Sequence, residues 1–327
     1  MTSRQTLNAS LAKGHLRRGD AHAAQRDEGA ANAHYDRARS YARSLPRSAF
    51  GTCAERLSEL LGTSAGAEKS KDEISVATIR MGYGTAVPDG ECDAKCLAEK
   101  TERVSSALAV AGTPEFVAIQ QLHGETAIDG YGLASTHLDL AVFVPPVSEW
   151  RHVNTEAYRT PLQGCDYAPA AVSTFKRNDD SNVEIVIANI VVCRGDSLVL
   201  LDDVKLRRYK TDGLSWCVDR HADIIVGDFN ADEDLTNTEY LTNKTSKHKV
   251  PARRWTPEKI EILNRAPFEY LRENKYALAG TSKSVHGGDP ICIWYKTTRL
   301  RPIGSDTIPL IDGLITRDGL AARFLMQ

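Results

Sequence analysis

A short apolar strand that ends in a tight polar turn constrains the fold of this chain more than any other feature. Residues 224–230 read IIVGDFN, so a β-branched run is followed at once by Gly227, Asp228 and Asn230. Such a run is typical of a strand buried on both faces, and Gly, Asp and Asn are typical turn residues. Two interpretations stay open at this point. Asp228 and Asn230 either hold the turn through hydrogen bonds from side chain to backbone, or carry chemistry at the end of a buried strand.

After residue 73 the hydrophobic pattern changes from helical to extended. Strands are predicted over residues 74–79, 116–119, 138–144, 183–192, 223–226, 290–295 and 317–324, and helices over residues 94–110, 204–221 and 257–273. Strands outnumber helices, which favours two packed sheets with helices on their outer faces over a doubly wound parallel sheet.

The N-terminal part reads as helices separated by short breaks, over residues 7–25, 28–44 and 49–61. The spacing of Gly19, Ala31, Tyr35 and Ala38 is similar to one tetratricopeptide-type helical hairpin. A small helical bundle explains the same pattern equally well. The domain prediction is therefore a helical module over residues 1–62, a polar linker over residues 63–73 and a main domain over residues 74–327.

The charge of the chain argues against a protein that coats nucleic acid over its whole surface. The formal net charge is −2, and residues 1–62 hold 10 Lys and Arg against 6 Asp and Glu, which leaves −6 for the rest. Since neutralised phosphates supply most non-specific affinity, any polyanion must be bound by a local patch. No run of about 18 apolar residues is present, so no membrane partner is expected.

Seven cysteines in 327 residues are too few and too scattered to indicate a disulfide framework. We expect an intracellular, reducing compartment, with Cys92 and Cys96 as thiols near a helix start. The basic, acid-free residues 1–19 keep a mitochondrial location open beside a cytoplasmic one.

The order of the motifs resembles the endonuclease/exonuclease/phosphatase superfamily, whose members are similar to DNase I. The resemblance rests on Gly227-Asp228-Phe229-Asn230 and on the strands before and after it, and it covers residues 74–327. It implies an α/β (α+β) fold, a four-layer α/β/β/α sandwich of DNase I type, preceded here by the helical hairpin or bundle. It also implies that Asp228 aligns an attacking water and that Asn230 holds the scissile phosphate.

The other motifs of the family are altered in this chain. Asn189 and Asp318 are retained, and with Asp228 and Asn230 they are the candidate catalytic residues. The family's Asn at the end of the first strand corresponds to Arg80, and its metal-binding Glu corresponds to Gln121. Its two histidines correspond to Val191 and Gly319. Valine and glycine can neither transfer a proton nor stabilise charge, so the usual hydrolysis is predicted to be lost or severely weakened.

The competing hypothesis is an active phosphodiesterase or nuclease that depends on Mg²⁺ or Mn²⁺ and uses relocated ligands. Asp228 with Glu125 is the candidate metal pair, and His123 and Asp318 are further candidates. Residues 136–139, which read THLD, supply another His and carboxylate, but a solvated loop has the same composition.

A basic segment after the Gly-Asp-x-Asn turn is the candidate nucleic-acid interface. Residues 244–255 read KTSKHKVPARRW, and the candidate phosphate-binding residues are Lys244, Lys247, Lys249, Arg253, Arg254 and Arg80. A basic loop with a flanking aromatic residue suits RNA or DNA, although the same charges could only offset nearby acids. Residues 205–210 are predicted to be the exposed face of a helix. Protein partners are expected to bind through the helical module. The predicted function is either binding of the phosphate backbone of nucleic acid or a structural role in a larger assembly.

Overall fold

The computed structural model describes residues 3–24, 38, 72–82, 94–122, 127–146, 148–159, 168–179, 182–193, 201–231, 256–282, 291–310, 315 and 318–327. The chain divides into two compact units, Met1–Lys71 and Asp72–Gln327. In the first unit the described helix is α1, Ser3–Ala24. Gly19 and Ala38 are buried there, whereas Ala31 and Tyr35 lie outside the described residues. The helical hairpin and the linker therefore stay predictions.

The second unit contains two six-stranded sheets. The first sheet has the order β11-β12-β1-β2-β4-β3 and the second β5-β6-β7-β8-β10-β9. The strands are β1 Glu73–Arg80, β2 Phe116–Gln120, β3 Gly132–His137, β4 Leu140–Val144, β5 Trp150–Arg159, β6 Pro169–Arg177, β7 Glu184–Val191, β8 Ile224–Asp228, β9 Tyr276–Thr281, β10 Ile291–Lys296, β11 Leu300–Ile308 and β12 Gly319–Met326. Each sheet holds one parallel pair, β1 with β2 and β7 with β8, and its other pairs are antiparallel.

Helices make the crossovers that the parallel pairs require. Helix α2, Ala94–Val110, connects β1 to β2, and α3, Asp203–Asp219, connects β7 to β8. The third, α4, Pro257–Glu273, lies between β8 and β9 in the chain. Local sequence sets where α3 and α4 begin, because the side chains of Asp202 and Thr256 accept the backbone N–H groups of Lys205 and Lys259.

The core is arranged in layers. Apolar residues of both sheets meet in one cluster between them, for example Phe116 of β2 and Phe175 of β6. A second cluster packs α3 and α4 on the outer face of the second sheet, and a third packs α2 on the outer face of the first. The layer order is α/β/β/α, which confirms the predicted fold class.

The predicted elements agree with the structure where strands are buried. The helices over residues 94–110 and 257–273 match to the residue. The strand predicted from Leu138 begins at Leu140 instead, because Leu138 has φ 53° and forms a turn. The sequence patterns did not identify β3, β5, β6, β9 or β11. Strand β5 lies at a sheet edge, where most of its side chains are exposed and no apolar alternation marks it.

Candidate functional site

The carboxyl ends of the two parallel strand pairs form the candidate site. Arg80 at the end of β1 pairs with Gln120 of β2, and Val191 at the end of β7 pairs with Asp228 of β8. The two sheets are joined here, because Gln120 Nε2 donates to Asn189 Oδ1 at 2.7 Å. The fold therefore brings the ends of the four strands to one edge of the sandwich.

An arginine and an aspartate from opposite sheets meet at this edge. Arg80 Nη1 lies 2.5 Å from Asp228 Oδ2, and the Asp228 side chain is fully buried while that of Arg80 is 18% exposed. Arg80 Nε also donates to Gln121 Oε1 at 2.7 Å. The structure thus brings together three positions of the family motifs, 80, 121 and 228, and links them through one guanidinium group.

Asn189 is part of a buried polar cluster. Its side chain is inaccessible to solvent, and its Nδ2 donates to the carbonyl oxygens of Ile119 and Ala141, each at 3.0 Å. Its Oδ1 accepts from Gln120, whose Nε2 also donates to Thr78 Oγ1. These hydrogen bonds connect the two sheets. A structural role therefore accounts for Asn189 without any ligand.

The Gly-Asp-x-Asn turn is held by its own side chains. The Asn230 backbone N–H donates to Asp228 Oδ1, and Asn230 Nδ2 donates to the carbonyl oxygen of Val192 at 2.8 Å. Asn230 has φ 44°, a left-handed conformation that asparagine adopts more readily than most residues. The side-chain amide expected to hold a phosphate is therefore engaged by the protein backbone.

The two positions that the resemblance aligns with the family's histidines lie in packed surroundings. Val191 is buried in a small cluster with Leu140 and Ala171. Gly319 starts β12, and a Cβ added to it would lie 3.0 Å from Ile79 Cγ1. That distance is tighter than ordinary van der Waals contact, so the side chain of Ile79 would have to give way by a few tenths of an ångström to accept a Cβ at this position.

Asp318 accepts a hydrogen bond from the backbone next to this strand. Its Oδ1 accepts the N–H of Leu310 at 2.8 Å, which ties the start of β12 to the end of β11. As with Asn189, a retained family position has a structural contact in this chain.

Two buried lysines donate hydrogen bonds to backbone carbonyl groups beside the site. The sequence patterns did not identify either lysine. Lys100 of α2 donates to the carbonyl oxygens of Met81 and Gly82, and burial lowers the pKa of its amine. Lys210 of α3 donates to the carbonyl oxygens of Cys193 and Asn230.

Each lysine therefore holds the chain just beyond a strand that ends at the site. The prediction that residues 205–210 form an exposed face is wrong for Lys210, which is 1% exposed. The spacing of Leu206, Lys210 and Leu214 at intervals of four residues could have indicated that it lies on the buried stripe.

We expect Lys210→Met to lower the free energy of unfolding by about 1–3 kcal/mol, because it removes the donor to two carbonyl groups while keeping the apolar stem. Urea unfolding of the full chain measures the change. Lys205→Met on the exposed side of α3 is the matched control, with an expected change within about 0.5 kcal/mol. Equal effects of the two substitutions would contradict a supporting role for Lys210.

The residues of the alternative active centre are not assembled by the described part of the structure. Glu125, His123 and the basic residues Lys244, Lys247, Lys249, Arg253 and Arg254 all lie outside the described residues. His137 ends β3 three strands away from Arg80, about 14 Å at ordinary strand spacing. Burial lowers the pKa of His137, and the nearby Asp139 opposes that shift.

The described residues do not fit the divalent cation that the family resemblance implies. No group of three or more His, Cys, Asp or Glu side chains that could hold a metal ion occurs among them. The predicted ligand Asp228 is instead paired with Arg80, and the amide of Gln121 stands where a second carboxylate would be needed.

The cysteines differ from the prediction of free thiols. Cys96 and Cys193 are disulfide-bonded, whereas Cys217 and Cys292 are free and buried. Disulfide bonds persist in oxidising compartments and are rare in the cytosol, so these bonds do not support the predicted reducing compartment.

Within the described ranges, no helix has the length and hydropathy that a membrane span requires.

Comparison with known proteins supports the fold through structure alone. The sequence matches no protein-family model and no curated protein. A conserved protein of unknown function from Enterococcus faecalis V583 is similar with a TM-score of 0.51 at 13% identity, over 78% of this chain and 100% of the other. An endonuclease/exonuclease/phosphatase from Beutenbergia cavernae DSM 12333 gives a TM-score of 0.50 at 12% identity, over 78% of this chain and 72% of the other. The chain has the fold of the endonuclease/exonuclease/phosphatase superfamily.

Proposed function

We propose that the domain over residues 74–327 is a non-hydrolytic member of this superfamily that binds the phosphate backbone of nucleic acid. The observation that carries the proposal is the packing at positions 191 and 319. Val191 lies in an apolar cluster, and Gly319 has barely room for a Cβ. Closely packed residues therefore occupy the two positions that the resemblance aligns with the family's acid and base.

The size of the catalytic loss supports this proposal. A positioned general acid or base contributes about 10²- to 10⁴-fold, so two such losses together remove up to about 10⁴- to 10⁸-fold. Effects within one catalytic unit are not additive, so the product is an upper limit. The loss of even one such group is expected to slow hydrolysis by about 10²-fold or more.

Basic residues in the sequence support binding of a polyanion. Arg80 places a guanidinium at the site edge with 18% of its side chain exposed, but Asp228 balances its charge, so phosphate groups would be held mainly by other basic residues. The sequence adds a basic segment at residues 244–255, which follows the Gly-Asp-x-Asn turn. Local basic groups of this kind bind phosphates and release counterions, so affinity is expected to fall steeply with salt.

Binding is tested with labelled single- and double-stranded RNA and DNA by fluorescence anisotropy at several salt concentrations. We expect reversal of Lys247, Lys249, Arg253 and Arg254 to Glu to lower the slope of log K against log salt by about 3 to 4 for duplex DNA. The matched control reverses four exposed basic residues elsewhere, Lys205, Arg208, Arg265 and Arg301. An equal loss with the control would show that only net charge matters, and unchanged affinity in the first variant would contradict this interface.

If the wild-type chain binds no nucleic acid, the proposal of a phosphate-binding groove fails and the scaffold interpretation takes its place. Deletion of residues 1–62 then tests whether protein partners bind through the predicted helical module. Loss of co-purifying partners on deletion, with the main domain still folded, would support it.

A further inference from the structure

The guanidinium group of Arg80 lies between two positions that the sequence analysis connects with metal binding. It lies against Asp228, the predicted metal ligand, and against Gln121, which stands at the family's metal-binding Glu. We infer that Arg80 is a built-in cation that neutralises Asp228 and excludes Mg²⁺ and Mn²⁺ from this site.

The contacts of Arg80 join both sheets. Its Nη1 reaches Oδ2 of Asp228 on β8, and its Nε donates to Oε1 of Gln121 just after β2. One planar group thus bridges an anion and a neutral acceptor, which suits the fixed donor geometry of arginine. A hydrated metal ion would have to displace this group from a fully buried carboxylate.

The backbone around Arg80 is also held in place. Arg80 pairs with Gln120, and the next residue, Met81, donates its N–H to the carbonyl oxygen of Gln120 at 3.0 Å. Lys100 Nζ then donates to the carbonyl oxygen of Met81 at 3.1 Å. Gln121 has φ 58°, which places the partner of Arg80 in a tight turn. Since both sides of the contact lie on constrained backbone, Arg80 is positioned by the fold and does not depend on a ligand.

The chemistry of divalent cations explains why Mg²⁺ or Mn²⁺ cannot bind at this site together with Arg80. Mg²⁺ prefers anionic oxygen ligands and gives up water reluctantly, and an amide is a poor replacement for a carboxylate. With Gln at position 121, Asp228 is the carboxylate that the described part of the chain contributes to this contact, and Arg80 balances its charge. A second cation at the same place would find the carboxylate already paired and would be repelled by the guanidinium group of Arg80 at close range. The charge of the site is therefore fixed and does not vary with metal concentration.

This property belongs to the ion pair and does not depend on whether the domain binds nucleic acid. It is tested by Mn²⁺ titration of the full chain, followed by electron paramagnetic resonance and by calorimetry. In the wild type we expect no Mn²⁺ binding that is sensitive to substitution of Asp228. In the Arg80→Asn/Gln121→Glu variant, two carboxylates face each other without the guanidinium, and Mn²⁺ should bind at least about tenfold more tightly than to the wild type.

Thermal unfolding supplies a second readout that needs no activity. The melting temperature of the Arg80→Asn/Gln121→Glu variant should rise with Mn²⁺ and fall again with EDTA, since a ligand of the folded state stabilises it. The Arg80→Asn/Asp228→Asn variant is the matched control, because it has neither the cation nor the carboxylate and should not respond to Mn²⁺.

Two results would overturn the inference. The first is Mn²⁺ binding to the wild type that Asp228→Asn abolishes, which would show that a metal and Arg80 coexist. The second is a folded Arg80→Asn/Gln121→Glu variant with no gain in Mn²⁺ affinity, which would show that Arg80 is not what excludes the metal.

Discussion

We expect Gly227→Ala to destabilise the main domain more than any other single methyl addition in its strands, by at least about 3 kcal/mol. Gly227 has φ 144°, a conformation that residues with a side chain rarely adopt, and a Cβ there would lie 1.9 Å from the carbonyl oxygen of Ile190. Strand β8 must therefore move away from β7 to accept a methyl group. Because native domains are stable by only about 5–15 kcal/mol, this change takes a large share of the total.

The matched control for this substitution is Gly132→Ala in β3. A Cβ at Gly132 would meet its nearest neighbour, the carbonyl oxygen of Val144, at 3.8 Å, which is ordinary contact. Denaturant unfolding of the full chain should show a change within about 1 kcal/mol for this control. Similar stabilities of the two variants would contradict the close approach of β7 and β8 and with it the structural role of the glycine in the motif.

The second large effect is expected for Arg80→Ala, which removes the ion-pair partner of a fully buried carboxylate. Breaking a buried pair by deleting one partner costs about 3–5 kcal/mol, because the remaining charge stays buried without compensation. The exposed pair of Arg265 and Glu261 on α4 gives a comparison. Arg265→Ala there should cost no more than about 1 kcal/mol.

A double-mutant cycle separates the pair from its surroundings. In Arg80→Ala/Asp228→Asn the buried charge is gone, so most of the stability lost in Arg80→Ala should return. The free energies of unfolding of the four proteins give the coupling directly. Additive effects would show that Arg80 and Asp228 do not interact in solution.

Much of the fold could be predicted from the sequence, because the buried elements have simple patterns. The β-branched run of β7 and the apolar run of β8 are hydrophobic on both faces, and β8 ends at Asp228 of the Gly-Asp-x-Asn motif. Strands β5 and β11 could not be found in this way. They form sheet edges, and their exposed polar residues resemble loops until the neighbouring strands supply the hydrogen bonds.

The sequence motifs named residues of the candidate site but could not give their contacts. The motif order identified Arg80 and Gln121 as departures from the family. Arg80 contacts Asp228 only because the two sheets pack against each other, and no local sequence pattern predicts that packing. Lys210 was missed because a lysine on a helix is ordinarily exposed, and only its buried neighbours at intervals of four residues set it apart.

The central claim is that this fold no longer performs metal-dependent hydrolysis, and a single-turnover cleavage assay tests it most directly. The wild-type chain, in excess over labelled single- and double-stranded RNA and DNA, is incubated with Mg²⁺ or Mn²⁺ beside Asp228→Ala and a wild-type sample in EDTA. We expect the same background rate in all three samples. Metal-dependent cleavage by the wild type that Asp228→Ala abolishes would contradict it.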